Sequence, residues 1–368
     1  MGYAHIPWDM IEKFVVDAFC KYGVPRDDAL VCADVLLESD RRGIESHGLN
    51  RLKPFYLDRI EEKIQNPVTS FEIVKDGPTT AVVDGHDGMG QVIGKRSMEL
   101  AIGKAKKLGM GMVAVRNSTH YGIAGYYTSM ASQAGCVGIT GTNTRPSIAP
   151  TFGVENMLGT NPLTFGIPTD DPFDFSLDCA TSIIQRGKIE TLARKDMSAP
   201  PGMVITDDGS TLTDAKSILA ALVKGKAALT PLGGIGEELA GYKGFGYAAV
   251  VEILSAALQD GAYLKQLNGV DADGNKRPYH VGHFFIAIDV EAFLPLAAFR
   301  KTAGDILRAL RNSKKAPGHD RIYTAGEKEY LTRLERKNTG VPVNDSIQKE
   351  LITVRDELGL TQYRFPFE

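Results

Sequence analysis

Short β-prone runs alternate with helix-length stretches through the middle of this chain. That alternation restricts the fold to a layered α/β class. Ala81–Val83, Met112–Val115, Val137–Thr140, Leu163–Ile167 and Phe284–Ile288 are the runs, set off by turn-forming Gly, Asp and Asn. Between the first two, Val92, Met98, Ala101 and Ala105 fall on one face of a predicted helix over Gly90–Lys107. A second helix is predicted from about Gly244 to Leu258.

The two ends read differently. Ile11, Phe14, Val15, Ala18 and Phe19 have the spacing of a buried helical face, and so do Ala29, Cys32, Ala33, Leu36 and Leu37. Gly23 and Pro25 separate the two. A weaker, charged segment over 46–63 ends at Asn66-Pro67. The tail predicts helices over 290–310, 328–336 and 346–358. With 368 residues, about two domains are expected.

Lys plus Arg is 42 and Asp plus Glu is 45, so net charge, at -3, offers no drive toward nucleic acid or an anionic membrane. The longest apolar stretch, Tyr247–Leu258, carries Glu252 and Ser255 and falls short of a membrane span. Met1–Trp8 lacks the pattern of a secretory signal. Cys20, Cys32, Cys136 and Cys179 form no CxxC pair and are too few for a disulfide scaffold. A cytoplasmic, soluble protein is expected.

Nucleotide fingerprints are missing. The chain has no GxGxxG, no Walker-A loop, no GxSxG elbow and no HExxH. His280 and His283 form an HxxH without a third ligand nearby, so no metal site is expected. What remains is an enzyme with a less common cofactor cradle, or a binding protein.

Polar clusters supply the chemistry. In Asp40–Arg51, a helix over 47–51 would bring His47 and Arg51 to one face, suited to a small carboxylate. A solvated helix start capped by Ser46 is the plain alternative. Asn117–Gly122 follows a β-prone run and holds His120, which can serve as a general acid/base or as a structural histidine. Gly141–Pro146 and Gly159–Pro162 are turns able to present backbone N–H groups to an anion. Gly241–Gly246 opens a helix with Lys243 beside glycines, a cradle for a pyrophosphate or simply a flexible helix start.

In order, DRRGIESHGLNR, VRNSTHYGIAGYY, GTNP, LDCATS with Arg186-Gly187-Lys188, YKGFG, VGHFFIAID and AGEKE resemble the malate/L-lactate dehydrogenase family that lacks a Rossmann domain. The likeness spans residues from about 5 to 355. Ala325 stands where the family usually has proline. The resemblance implies a mixed α/β, non-Rossmann core that binds NAD or NADP, with NAD favoured, over 76–299. It implies a helical part built from 1–75 and 300–368, and a homodimer. The two apolar stripes near the N-terminus are candidate partner contacts, with packing on the chain's own core as the plain alternative.

The implied reaction is reversible hydride transfer between the nicotinamide and a small 2-keto/2-hydroxy acid, a dicarboxylic one as the first expectation. Malate/oxaloacetate comes first; lactate, sulfolactate or ureidoglycolate are alternatives, and a nucleotide-binding protein without turnover is the non-enzyme alternative. By the same resemblance His120 is the general acid/base, with His47 its rival, and Arg51 clamps the carboxylate beside Ser46. Thr160 and Asn161 shape the substrate pocket. His47, Thr144, Asp178, Cys179, Ala180, Lys243, Gly244, His280 and Gly282 match cofactor positions.

Overall fold

The computed structural model describes residues 4–368. Its centre is a seven-stranded sheet in the spatial order Glu72–Asp76, Thr80–Asp84, Met110–Ser118, Val281–Asp289, Cys136–Thr142, Leu163–Ile167, Phe175–Cys179. Only Thr80–Asp84 and Met110–Ser118 run parallel; the other neighbours are antiparallel. All five β-prone runs lie in this sheet. Glu72–Asp76 and Phe175–Cys179 escaped the sequence reading. Both are strands without a fully buried face; Glu72–Asp76 carries no apolar alternation, and the alternation of Phe175–Cys179 is only five residues long.

The last of these seven strands in chain order, Val281–Asp289, sits in the middle of the sheet. Its register places Val281 opposite Ser118 and His283 opposite Thr142. The same end of the sheet receives Leu163, paired with Gly141, and Cys179, paired with Leu163. The segments around 118–122, 142–146, 160–162, 178–180 and 281–283 therefore converge at one end. Ligands of α/β sheets gather where strand ends meet like this. An irregularity between Val281 and His283 breaks the regular pairing there. Such bulges re-aim side chains next to sites.

Gly90–Leu108 and Gly125–Gln133 cover one face of the sheet. Val83, Ile93, Met98, Ala101, Ala105, Val113, Tyr127 and Phe285 form the apolar layer between. Gly241–Ala256 covers the other face and begins three residues before its expected start. Helix and strand meet without a gap at Gly282, where an added Cβ would lie 1.7 Å from the Ser255 carbonyl oxygen.

The helices Trp8–Lys21 and Arg26–Arg41 bury both predicted apolar stripes. They do so inside this chain, against Val341, Val343, Leu351, Val354, Tyr363 and Phe365. The stripes are thus spent on a local core, and the expectation that they face a partner subunit is corrected. A short antiparallel pair, Ala4–Ile6 with Val341–Val343, ties the two termini together. The predicted 290–310 helix starts only at Leu296, after Pro295, and Arg308 and Arg311 anchor it to Asp170 and Asp171. A further small unit, with its own cluster of Ile184, Ile189, Val204, Ile218 and Leu229, was not legible beforehand.

Candidate active site

The segment 45–61 is not one regular helix. Glu45–His47 and Leu49–Arg51 are tight single turns, followed by the wider turn Leu52–Leu57 and then Asp58–Glu61. Gly48 causes the break, with extended backbone at φ -91° and ψ -143°. It packs so close to Asp40 that a Cβ would lie 2.1 Å from the carboxylate. That carboxylate accepts the Leu49 N–H at 2.9 Å, and burial raises its pKa to about 7. The expected helical His47/Arg51 face is therefore absent. Both side chains nevertheless reach one cavity.

This cavity, of about 340 Å³, opens at the convergent end of the sheet. His47, Arg51, His120, Thr144, Thr160 and His283 all line it. Nδ1 of His120 lies 2.7 Å from the Tyr56 hydroxyl and accepts the Gly122 N–H at 3.3 Å. Nε2 has no protein partner among the described residues. The His47 ring stacks on His120 with centroids 5.6 Å apart, and Ser46 Oγ is 2.9 Å from His47 Nδ1. Arg51 donates from Nε to the Ser46 carbonyl at 2.6 Å and stands 4.4 Å from the centre of the Phe55 ring. His283, fully buried, stacks on Tyr121 at 4.3 Å and places Nε2 2.8 Å from Ser118 Oγ.

Burial disfavours charge on all three imidazoles. It holds His120 well below the usual range, with His47, Arg59 and Arg51 adding to the effect. His47 drops to about 4 through burial and Arg51, and His283 drops to about 3 through burial. At neutral pH the rings are uncharged. With Nδ1 of His120 accepting from a backbone amide, its proton sits on Nε2. The arrangement pairs a hydrogen-bond donor with a guanidinium that has no acidic partner, which suits a small anion carrying a carbonyl or hydroxyl.

A second cavity of about 500 Å³ adjoins the first and shares His47, Gly122, Thr160, Pro162 and Gln185 with it. Ser46, Asp178, Cys179 and Ala180 line it, together with apolar Ile123, Ile183, Ile184 and Leu232. Its size and mostly apolar walls fit part of a dinucleotide. The Asp178 carboxylate is already engaged: it accepts the Gly125 N–H at 2.7 Å and the Thr164 hydroxyl at 3.0 Å. Burial raises its pKa.

Other expected residues do not reach either cavity. The Asn161 side chain points into the interior, where it accepts the Thr144 N–H and donates to Glu252 at 2.8 Å and to the Ala248 carbonyl. It braces the two turns rather than forming pocket wall. His280 turns to Asp87 at 2.9 Å, on a left-handed backbone with φ 53°. Gly282 donates to Asn143 and permits the tight contact with Ser255. Gly244 lies against Leu232, whose backbone N is 2.5 Å from where a Cβ would be, and Lys243 is exposed beside the Tyr242 ring.

The structure adds cavity residues to which the sequence assigns no role in the site. Phe55, Arg59, Tyr279, His283, Arg145, Arg186 and Gln185 line the first cavity, and Tyr56 supports it from below. The aromatic pair Phe55-Tyr56 inside a charged segment was the available signal.

A model of the malate/L-lactate dehydrogenase family matches residues 6–352. The chain is 41% identical to the malate dehydrogenase of Pyrococcus horikoshii over 98% of this chain and 97% of that protein. It is 38% identical to the L-sulfolactate dehydrogenase of Methanocaldococcus jannaschii, covering 95% and 96%. Among solved structures, malate dehydrogenase from Entamoeba histolytica superposes with a TM-score of 0.93 at 42% identity, covering 97% of this chain and 99% of that one. Membership of the family implies a nicotinamide cofactor. From its matching model and its near full-length relatives, this chain belongs to the malate/L-lactate dehydrogenase family, oxidoreductases of hydroxy acids.

Proposed function

We propose that the protein interconverts oxaloacetate and malate, with NAD as cofactor. The observation that carries this is the His120–Arg51 pair facing one cavity whose neighbour, across a shared wall, can hold part of a dinucleotide. Malate dehydrogenases over 40% identical along nearly the whole length support the choice of acid.

A bound nicotinamide would supply the hydride for the keto carbon and accept it back from the alcohol. Arg51 holds the C1 carboxylate through its forked guanidinium and so aligns the carbonyl. The arriving anion sits beside His120 and favours its protonated form. On reduction, Nε2 gives its proton to the carbonyl oxygen as hydride reaches the carbon. On oxidation, Nε2 takes the hydroxyl proton. Ser46 fixes the His47 ring, which packs on the catalytic imidazole. Thr144, Thr160, Asp178, Cys179 and Ala180 shape the walls around the cofactor. Lys243, with Gly244 beside it at the helix start, stands outside the two cavities.

The test mixes protein with NADH or NADPH and a panel of 2-keto acids and follows loss of dihydropyridine absorbance. Oxaloacetate is expected to be the best substrate. Cofactor binding without any turnover would favour a non-catalytic nucleotide-binding protein instead.

A homodimer is part of the same proposal. Its support is the exposed apolar face of Gly241–Ala256, with Tyr247, Val250 and Ile253, beside a groove lined by Pro150, Met157 and Phe245. Sedimentation at micromolar concentration decides it. A cytoplasmic location is proposed from the four free cysteines. Among the described residues no helix is long and apolar enough to cross a membrane.

A further inference from the structure

The substrate cavity has a lopsided charge. Arg51, Arg59, Arg145 and Arg186 line it and no carboxylate does, in a chain whose net charge is -3. A monoanionic keto acid needs one guanidinium, so the rest call for an explanation.

The four arginines differ in what holds them. Arg186 is exposed and bonded to Glu190 one helical turn away. Arg145 is exposed to water. Arg59 is half-buried and has no carboxylate within hydrogen-bond distance among the described residues. Its acidic neighbours in sequence are engaged elsewhere, Asp58 with Lys53, Glu61 with Tyr22 and Glu62 with Lys276. Aromatic rings position the Arg59 guanidinium: it stands 4.4 Å from the centre of Phe55 and 4.7 Å from the centre of Tyr279. Cation–π contacts orient a guanidinium while leaving its N–H fork free.

Arg51 stands over the same Phe55 ring, also at 4.4 Å. The two guanidinium carbons thus lie no further apart than twice that distance, on a shared aromatic spacer. Two partly desolvated cations this close repel, and burial together with Arg51 works against the charge on Arg59. An anion with an acid group at each end relieves both the repulsion and the unmet hydrogen-bonding capacity. A monoanion relieves only half.

We infer that Arg59 is the residue that reads the second acid group of the substrate, so that the site selects dianionic 2-keto acids over pyruvate-like ones. Arg51 takes the carboxylate common to all of them, and Arg59 takes the distal carboxylate or sulfonate. Phe55 sets the spacing between the two. The inference rests on the hydroxy-acid dehydrogenase reading above and deepens it to a substrate class.

The test compares kcat/KM for oxaloacetate, sulfopyruvate and pyruvate in the wild type, Arg59→Met, Arg59→Lys and Arg51→Met. In Arg59→Met the preference for either dianion over pyruvate is expected to fall on the order of 30–100-fold, the worth of a charged hydrogen-bond pair. Arg59→Lys keeps stem and charge but loses the fork, and is expected to fall between wild type and Arg59→Met; it also serves if Arg59→Met fails to fold. Arg51→Met is expected to weaken all three acids while shifting that preference far less. A preference within threefold of wild type in folded Arg59 variants overturns the assignment. A wild type that prefers oxaloacetate in that case leaves the malate reading standing. A wild type that reduces only monoanionic acids overturns both.

Discussion

The Tyr56 hydroxyl lies 2.7 Å from Nδ1 of His120, and it can serve that ring in both of its charge states. To neutral His120 it donates, alongside the Gly122 N–H. To the protonated ring it accepts from Nδ1–H. Either way Nδ1 is occupied on the protein side and Nε2 is left for the cavity. Tyr56 is itself fully buried, and burial pushes its own pKa upward, so it stays a neutral hydroxyl.

Tyr56→Phe keeps the ring that packs against Phe19 and removes only the oxygen. The protonated form of His120 then loses its acceptor, while the Gly122 N–H continues to favour the neutral form. The pKa of His120 in the substrate complex should fall, moving the alkaline limb of keto-acid reduction to lower pH. Turnover at neutral pH should drop by up to about tenfold, the size of one hydrogen bond. A pH–rate profile superimposable on the wild type would show that the hydroxyl is only packing.

His120→Ala should lower turnover ~10²–10⁴-fold in both directions, the range for loss of a general acid/base. His47→Ala removes the stacked neighbour and its dipole and should cost less, chiefly in KM. If steady-state kinetics give the reverse ranking, the proton shuttle is His47.

His283 carries a pH effect on stability. Its folded pKa is held at about 3 against 6.5 when exposed, because the ring is buried. Between those values the unfolded chain binds more protons than the folded one. Stability is therefore complete above the unfolded pKa and declines as pH falls toward the folded one. Melting temperature should drop on acidification from pH 7 to about 5, and His283→Gln should flatten that slope. An unchanged slope would assign the loss to the other buried imidazoles, His47 and His120, whose pKa values burial also lowers.

Gly282→Ala should act on packing rather than on cofactor affinity. Its new methyl would sit 1.7 Å from the Ser255 carbonyl, backbone that cannot swing aside. Overpacking of this kind costs roughly 1–3 kcal/mol. Chemical denaturation should report the loss, with the KM for NADH near wild type in the protein that remains folded.

Local patterns were legible where one element decides them. The apolar stripes at Ile11–Phe19 and Ala29–Leu37, and the five β-prone runs, needed only the periodicity of helix and strand. His47, Arg51 and His120 were legible as polar residues concentrated beside element ends. The helix expected through Arg51 was not, because the tight Gly48–Asp40 contact that interrupts it lies between segments, not within one.

Sequence alone, then, determined the α/β class, the helical ends and which imidazole and guanidinium side chains stand as candidates, since these follow from residue type and short-range spacing. Tertiary structure decided which side chains face the cavity. Asn161 sits in a promising turn but points to Glu252, and of the HxxH pair His280 turns to Asp87 while His283 lines the cavity, as does Arg59 from the weaker charged segment. The direction of a turn residue is set by partners that pairing brings from far along the chain. Here the decisive event is the insertion of Val281–Asp289 between two strands that precede it by over a hundred residues, and no local pattern encodes that neighbour.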